Sequence, residues 1–182
     1  LGLKQNGKIA CKSMIEAFLV PADQITDADQ RLMLALLQTH FEGVHWPQFQ
    51  ADLGSKDWVI LLKSAGILKG FTTFGFYPTQ WEGQTVRIVY SGDTITDPSM
   101  WSNPALAKAW TKAMQILHGA RSEKLYWLLI SSGYRTYRFL SIFAKEFYPH
   151  YLHPTPPPVQ NFIHRLAQNK FQANYDPSSG IV

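Results

Sequence analysis

Apolar positions along the chain recur with two periods, and the alternation between them predicts an order of elements. From Asp27 onward, Leu32, Met33, Leu36, Leu37 and Phe41 return at helical spacing. Asp27 with Gln30 has the spacing of a capping box, and Gly43 supplies a stop. Trp58 to Leu62 is an unbroken apolar run, expected of a strand covered on both faces. Ser64-Ala65-Gly66 then reads as a turn. A second strand is expected over Ile67 to Tyr77, with Leu68, Gly70, Thr72, Phe74 and Phe76 on one face, and a turn over Pro78 to Gly83. Gln84 to Asp93 alternates again, placing Val86, Ile88 and Tyr90 opposite Arg87, Val89 and Ser91. Three strands joined by short turns form an antiparallel meander. Before them, Met14, Ile15, Phe18 and Leu19 suit a strand or a short helix ahead of Pro21.

The second half changes period. Asn103-Pro104 opens a helix, with Asn as cap and Pro first, and Leu106, Ala109, Trp110, Ala113, Met114 and Leu117 continue it to Gly119. Leu125 to Ile130 is apolar throughout, which predicts a central strand. Gly133 breaks it, and a helix from about Arg135 to Tyr148 would bury Phe139, Ile142, Phe143 and Phe147. Five prolines between Pro149 and Pro158 predict an extended linker. Val159 to Phe171 reads as a last helix with Phe162, Ile163 and Leu166 inward, and Asp176 to Gly180 as a turn. The expected organisation is an N-terminal segment over 1–25, a folded domain over 26–148, and a linker with helix and tail over 149–182.

Composition narrows the class. The chain has 182 residues with 46% hydrophobic, 14% aromatic and 16% charged positions, which excludes wholesale disorder. A single cysteine, Cys11, excludes an internal disulfide framework. No apolar run approaches the roughly 18–20 residues that cross a bilayer. A soluble cytoplasmic protein with no membrane span is the expectation. The net charge of +4 is mild. The densest basic stretch, Arg135 to Lys145, has the spacing of an amphipathic helix, so no nucleic-acid partner is expected.

The last strand follows a crossover helix, so it should lie parallel to the third strand of the meander. Gly92 suits a bulge that would splay these two strands and leave backbone N–H and C=O groups facing a cleft. This arrangement of Trp58–Asp93, Asn103–Leu117, Leu125–Ile130 and Gly133-Tyr134-Arg135-Thr136-Tyr137 resembles the GNAT superfamily of acyl-CoA-dependent N-acyltransferases, over about Thr26 to Tyr148. The resemblance implies an α+β fold with a mixed sheet and helices on both faces. It further implies that the pantetheine arm of a thioester donor lies between the splayed strands. The donor's pyrophosphate would sit at the N-terminus of the following helix. One departure stands out. The family's loop reads Gln/Arg-x-x-Gly-x-Gly/Ala, whereas Thr96 to Asn103 has no glycine and carries Asp97. An acyl-carrier-protein thioester would tolerate that change better than acyl-CoA, as would a catalytically inactive binding or assembly module.

The resemblance also nominates residues. Asp93 is a candidate base for the acceptor ammonium, or else orders the loop over Thr94–Thr96. Tyr137 or Tyr134 would protonate the departing thiolate, or else packs as an ordinary amphipathic ring. His40 is a second candidate base, or a histidine at a helix end. Backbone and side chains of Ser91, Gly92, Thr94, Ser99, Ser102 and Asn103 are placed to hold the donor, with Arg135 beside them. Phe71, Phe74, Phe76, Tyr77, Trp81, Trp101 and Trp110 are expected around the cleft, which favours larger acyl groups. The acceptor is an amine, on a small molecule or a peptide, and oligomerisation is left open. No nucleophile elbow, P-loop or dinucleotide fingerprint occurs, and no third ligand at suitable spacing joins His40 with His45 or His150 with His153, so no metal is expected.

Overall fold

The computed structural model describes residues 14–101, 103–131 and 134–182, excepting the side chains of 134–136, 139 and 143. Within it, five strands form one sheet in sequence order: β1 (Ile15–Pro21), β2 (Trp58–Ser64), β3 (Ile67–Trp81), β4 (Gln84–Thr96) and β5 (Leu125–Leu129). The first four pair antiparallel, and β5 pairs parallel to β4 from Arg87↔Leu125 to Ser91↔Leu129. The sheet therefore has one antiparallel strand more than the expected meander, because Ile15–Pro21 supplies the strand alternative at the sheet edge. Both hairpins turn on two residues of positive φ, Ala65-Gly66 and Glu82-Gly83, whose twist matches that of the strands.

Two register breaks correct the facing of side chains. Between Leu62 and Lys63 the β2–β3 pairing skips Lys69, so Leu68 shares a core with Phe71 and not with Phe74. Pro78 belongs to β3, not to a turn: β2 ends its pairing at Trp58↔Phe74, and beyond it β3 has an open edge that tolerates a missing N–H. β5 is likewise an edge strand, with every residue half-buried.

Among the described residues there are five α-helices, α1 (Asp27–Gln38), α2 (Trp46–Gly54), α3 (Ala105–His118), α4 (Tyr134–Phe143) and α5 (Pro157–Phe171), and all but α4 contribute to the buried clusters on the sheet. The cap of α1 is Thr26, whose side chain accepts the Asp29 N–H at 3.1 Å, so Asp27 is its first residue and not its cap. The helix ends at Gln38, before Gly43. One face packs Met33 and Leu37 of α1 with Phe49 and Leu53 of α2 against Val59, Leu61 and Phe71. Further along that face Phe162 and Leu166 of α5 meet Val86 and Ile88. The other face buries Ile60, Leu62, Phe74 and Val89 beneath the predicted stripe of α3. α4 stops short of the expected end, and Ile142 is 67% exposed on it rather than buried. No regular element spans 144–156, and α5 begins at Pro157. No helix among the described residues is long and apolar enough to cross a membrane.

Candidate active site

The site grows from one irregularity in β4. Phe74 pairs with Ser91 and Thr72 with Thr94, so Thr73 faces two residues, Gly92 and Asp93. That bulge occurs where β5 stops: the last parallel pair is Ser91↔Leu129, and from Gly92 to Thr96 β4 pairs with β3 alone among the described residues. Among the described residues no strand pairs with β4 on that side, although the Thr96 carbonyl accepts the Trp101 indole N–H at 3.3 Å. Ser91 itself is buried and accepts the indole N–H of Trp127 at 2.9 Å, which ties the two strands at the point of parting.

Gly92 sits in crowded space, walled by two side chains. A Cβ there would stand 2.5 Å from Lys56 Cε and 2.7 Å from Thr73 Oγ1. Lys56, just past α2, crosses the bulge and donates to the Asp52 carbonyl at 2.9 Å and to Ser55 Oγ at 2.8 Å. Its Nζ lies 5.5 Å from the centre of the Tyr90 ring, and Lys170 of α5 approaches the same ring at 4.6 Å. Phe171 meets that ring edge-on at 6.0 Å. Burial, then Lys170, lowers the Lys56 pKa, against the pull of Asp52 and Asp93. Burial, then the Asp52 carboxylate, raises the Asp93 pKa, with Lys56 opposing. Tyr90 is pushed up to about 12, chiefly by burial, so its hydroxyl stays protonated at ordinary pH. Among the described residues the Asp93 carboxylate takes no hydrogen bond, and the bond within Thr94–Thr96 that would order the loop is not made by it. Thr94 instead meets Thr72 Oγ1 at 2.7 Å.

Beyond β4, the segment nominated for a pyrophosphate is already occupied by the protein's own oxygens. Asp97 Oδ1 accepts both the Ser99 N–H at 2.9 Å and the Ser99 hydroxyl at 2.6 Å, capping a short 3-10 turn over Pro98–Met100. These bonds, with Lys69 Nζ at 3.3 Å, hold the Asp97 carboxyl down at about 2. Asn103 Oδ1 takes the Ala105 N–H at 2.9 Å, so α3 starts two residues past Asn103.

The remaining nominations scatter. His40 lies exposed after α1 with its ring 6.5 Å from that of Trp101, near the Asp97 turn and without a contact to Asp93. The Tyr137 hydroxyl donates to the Pro149 carbonyl at 2.9 Å, so its proton is committed there. Ser102 lies outside the described residues, as do the side chains of Tyr134 and Arg135. The expected aromatic lining is not one surface: Phe71 fills the α1–α2 core, Phe74, Phe76 and Trp110 the α3 core, and Tyr77 and Trp81 the α5 core, while Trp101 is 59% exposed. The β3 rings divide this way because successive residues along an unbroken strand point to opposite faces of the sheet, each face covered by its own helices. Sequence reasoning missed Lys56, Asp52 and Tyr90. The signal available was Trp46-Pro47 followed by Phe49 and Leu53, which marks α2. Among the described residues no group of three or more His, Cys, Asp or Glu could hold a metal ion.

No family model matches the chain, and no curated protein does. Solved structures do. The aminoglycoside N-acetyltransferase AAC(6')-Iy, bound to a bisubstrate analogue of CoA and monomethyl-acetylneamine, superposes at TM-score 0.58 and 9% identity, covering 79% of this chain and 99% of its own. A Trypanosoma brucei acetyltransferase matches at 0.54 and 12% identity, covering 79% and 100%. The ribosomal-protein-alanine N-acetyltransferase of Brucella melitensis biovar Abortus 2308 matches at 0.54 and 14%, again over 79% and 100%. The chain has the GNAT fold.

Proposed function

We propose that the protein is an N-acyltransferase that moves an acyl group from a pantetheine thioester to an amine. The observation that carries this reading is the bulge at Gly92-Asp93, which sets a carboxylate of raised pKa where β4 leaves β5. A thioester arm lying in that gap would bond to the free backbone edge as an added strand does. N–H groups near Ser91–Thr94 would polarise its carbonyl. Asp93 would take a proton from the acceptor ammonium. The amine then attacks, the new C–N bond replaces C–S, and the thiolate leaves and is protonated by Tyr134, by Tyr137 once released from Pro149, or by solvent. Acyl-CoA is the donor that the CoA-bound neighbours support. The self-capped turn at Asp97 predicts that its pyrophosphate binds weakly here.

Incubation with acyl-CoA of several chain lengths and a panel of amines, read by mass, tests the reading. Acylated amine that disappears with Asp93→Asn is the expected result, and absence of product with every donor would refute it. Calorimetry with CoA and with acyl-pantetheine distinguishes an inactive binding module, which would bind without turnover; the capped anion site favours that alternative.

A further inference from the structure

Two lysines from distant parts of the chain meet at one ring, and among the described residues neither has a carboxylate at contact distance. Lys56 and Lys170 approach Tyr90 at 5.5 and 4.6 Å. Among the described residues the ion pairs are Lys63–Asp29, Lys69–Asp97 and Arg121–Glu123, and none includes either lysine. The acceptors that hold Lys56 Nζ are neutral, the Asp52 carbonyl and Ser55 Oγ. Like charges brought together on a half-buried surface repel, and Lys170 is one cause of the lowered Lys56 pKa. Such a pair is relieved by an anion placed between the ammonium groups. The niche lies on the face of α2 and α5, against the bulge: Lys56 Nζ is 3.3 Å from where a Gly92 Cβ would stand, and Asp93 is the next residue.

Resting on the acyltransferase reading, we propose that the acceptor is an amine that also bears a carboxylate, as a free amino acid does. Lys56 and Lys170 receive its carboxylate while Asp93 receives the proton from its ammonium. The transfer balances as before: C–N forms, C–S breaks, the ammonium proton goes to Asp93, and the thiolate leaves. Tyr90 is the ring that both ammonium groups approach. A polycationic amine would meet the two ammonium groups there and is disfavoured.

The test compares acceptors that differ only in charge, phenylalanine with phenylalaninamide and leucine with leucinamide, alongside spermidine, using acetyl-CoA and longer acyl-CoA. The carboxamides have the less basic and more available amine, so a preference for the carboxylates cannot originate in the nucleophile. The expected kcat/KM is at least about ten-fold higher for each carboxylate, the scale of one charge-assisted hydrogen bond. In Lys56→Met with Lys170→Met the ratio falls to about one through the KM of the carboxylate, whereas Lys56→Arg with Lys170→Arg keeps it. A ratio of one or less in the wild type, or a ratio kept by the Met pair, overturns the proposal. If no acceptor yields product, the acyltransferase reading fails by itself. Ligand-observed NMR titration of phenylalanine and phenylalaninamide without donor then decides the niche: tighter carboxylate binding lost in the Met pair supports it, and equal or absent binding refutes it.

Discussion

Asp93 joins the proposed chemistry to the cost of placing it. Burial and Asp52 raise its pKa, so the folded chain holds the proton more tightly than the unfolded chain. Its favourable contribution is complete below the ordinary value of 3.8 and is lost as pH rises through the raised value, leaving an ionised carboxylate that destabilises the fold at neutral pH. Asp93→Asn is therefore expected to raise Tm at pH 7, with the gain vanishing below pH 3.8, while turnover falls about 10²-fold or more. Thermal melts across pH beside an acylation assay check both arms; a lower Tm at pH 7 refutes the account of desolvation. Gly92→Ala tests the neighbouring claim. Its methyl would collide with Lys56 Cε and Thr73 Oγ1, so Lys56 must leave the Tyr90 ring. The expected loss is about 1 kcal/mol, measured by denaturant titration, since the Lys56 end can swing away while Thr73 Oγ1, on a short side chain, has less room to yield. Gly92 and Asp93 were legible in the sequence because a glycine late in an alternating strand signals a bulge. Lys56 was not, because its placement depends on where the α2–β2 connection crosses β4, a contact with no local pattern.

Among elements, the Asp97 turn is where the protein's own caps compete with a ligand. The turn accepts two hydrogen bonds from Ser99 and one from Lys69, all on a single carboxylate. Asp97 has a depressed pKa of about 2, so its contribution is complete above 3.8 and is lost as pH falls toward 2. Asp97→Ala removes the cap at a cost of about 1 kcal/mol. Asp97→Asn keeps the cap, removes the charge and frees Lys69 for a phosphate. CoA is expected to bind it several-fold tighter than the wild type in calorimetry, and unchanged affinity would show that the turn does not face the donor. The α3 stripe, the β2 run and the Ala65-Gly66 turn were readable because each is a local period or a positive-φ signal, whereas the second turn occupies only Glu82-Gly83 at the end of the expected Pro78–Gly83. α2 was not, since nine residues with three apolar anchors resemble a loop. The facing of Leu68 escaped for a related reason: one extra residue, Lys69, inverts the alternation without altering composition.

At the scale of the whole molecule, α5 does for β4 and β5 what α1 and α2 do for β2 and β3. Phe162 and Leu166 are buried against Val86 and Ile88, Trp81 stacks on Phe162 at 4.3 Å, and Arg165 donates to the Gln80 carbonyl. The same helix carries Lys170 and Phe171 to Tyr90, so the covering of the sheet and one wall of the proposed acceptor niche are a single structure. That α5 would form was legible from its apolar spacing; where it would dock was not, because the intervening prolines fix no direction. Removing a buried ring from this contact costs the transfer energy of the side chain plus a cavity, about 3–5 kcal/mol for Phe162→Ala. For a chain of this length that lowers Tm by about 10 °C. Ile142→Ala on exposed α4 serves as the contrast and should stay within about 0.5 kcal/mol. If α5 were loosely attached, Phe162→Ala would melt like Ile142→Ala, and the wall that brings Lys170 to Tyr90 would lose its support. A large, selective loss at Phe162 instead makes the helix part of the cooperative unit, and the spacing of the two lysines is then set by folding itself.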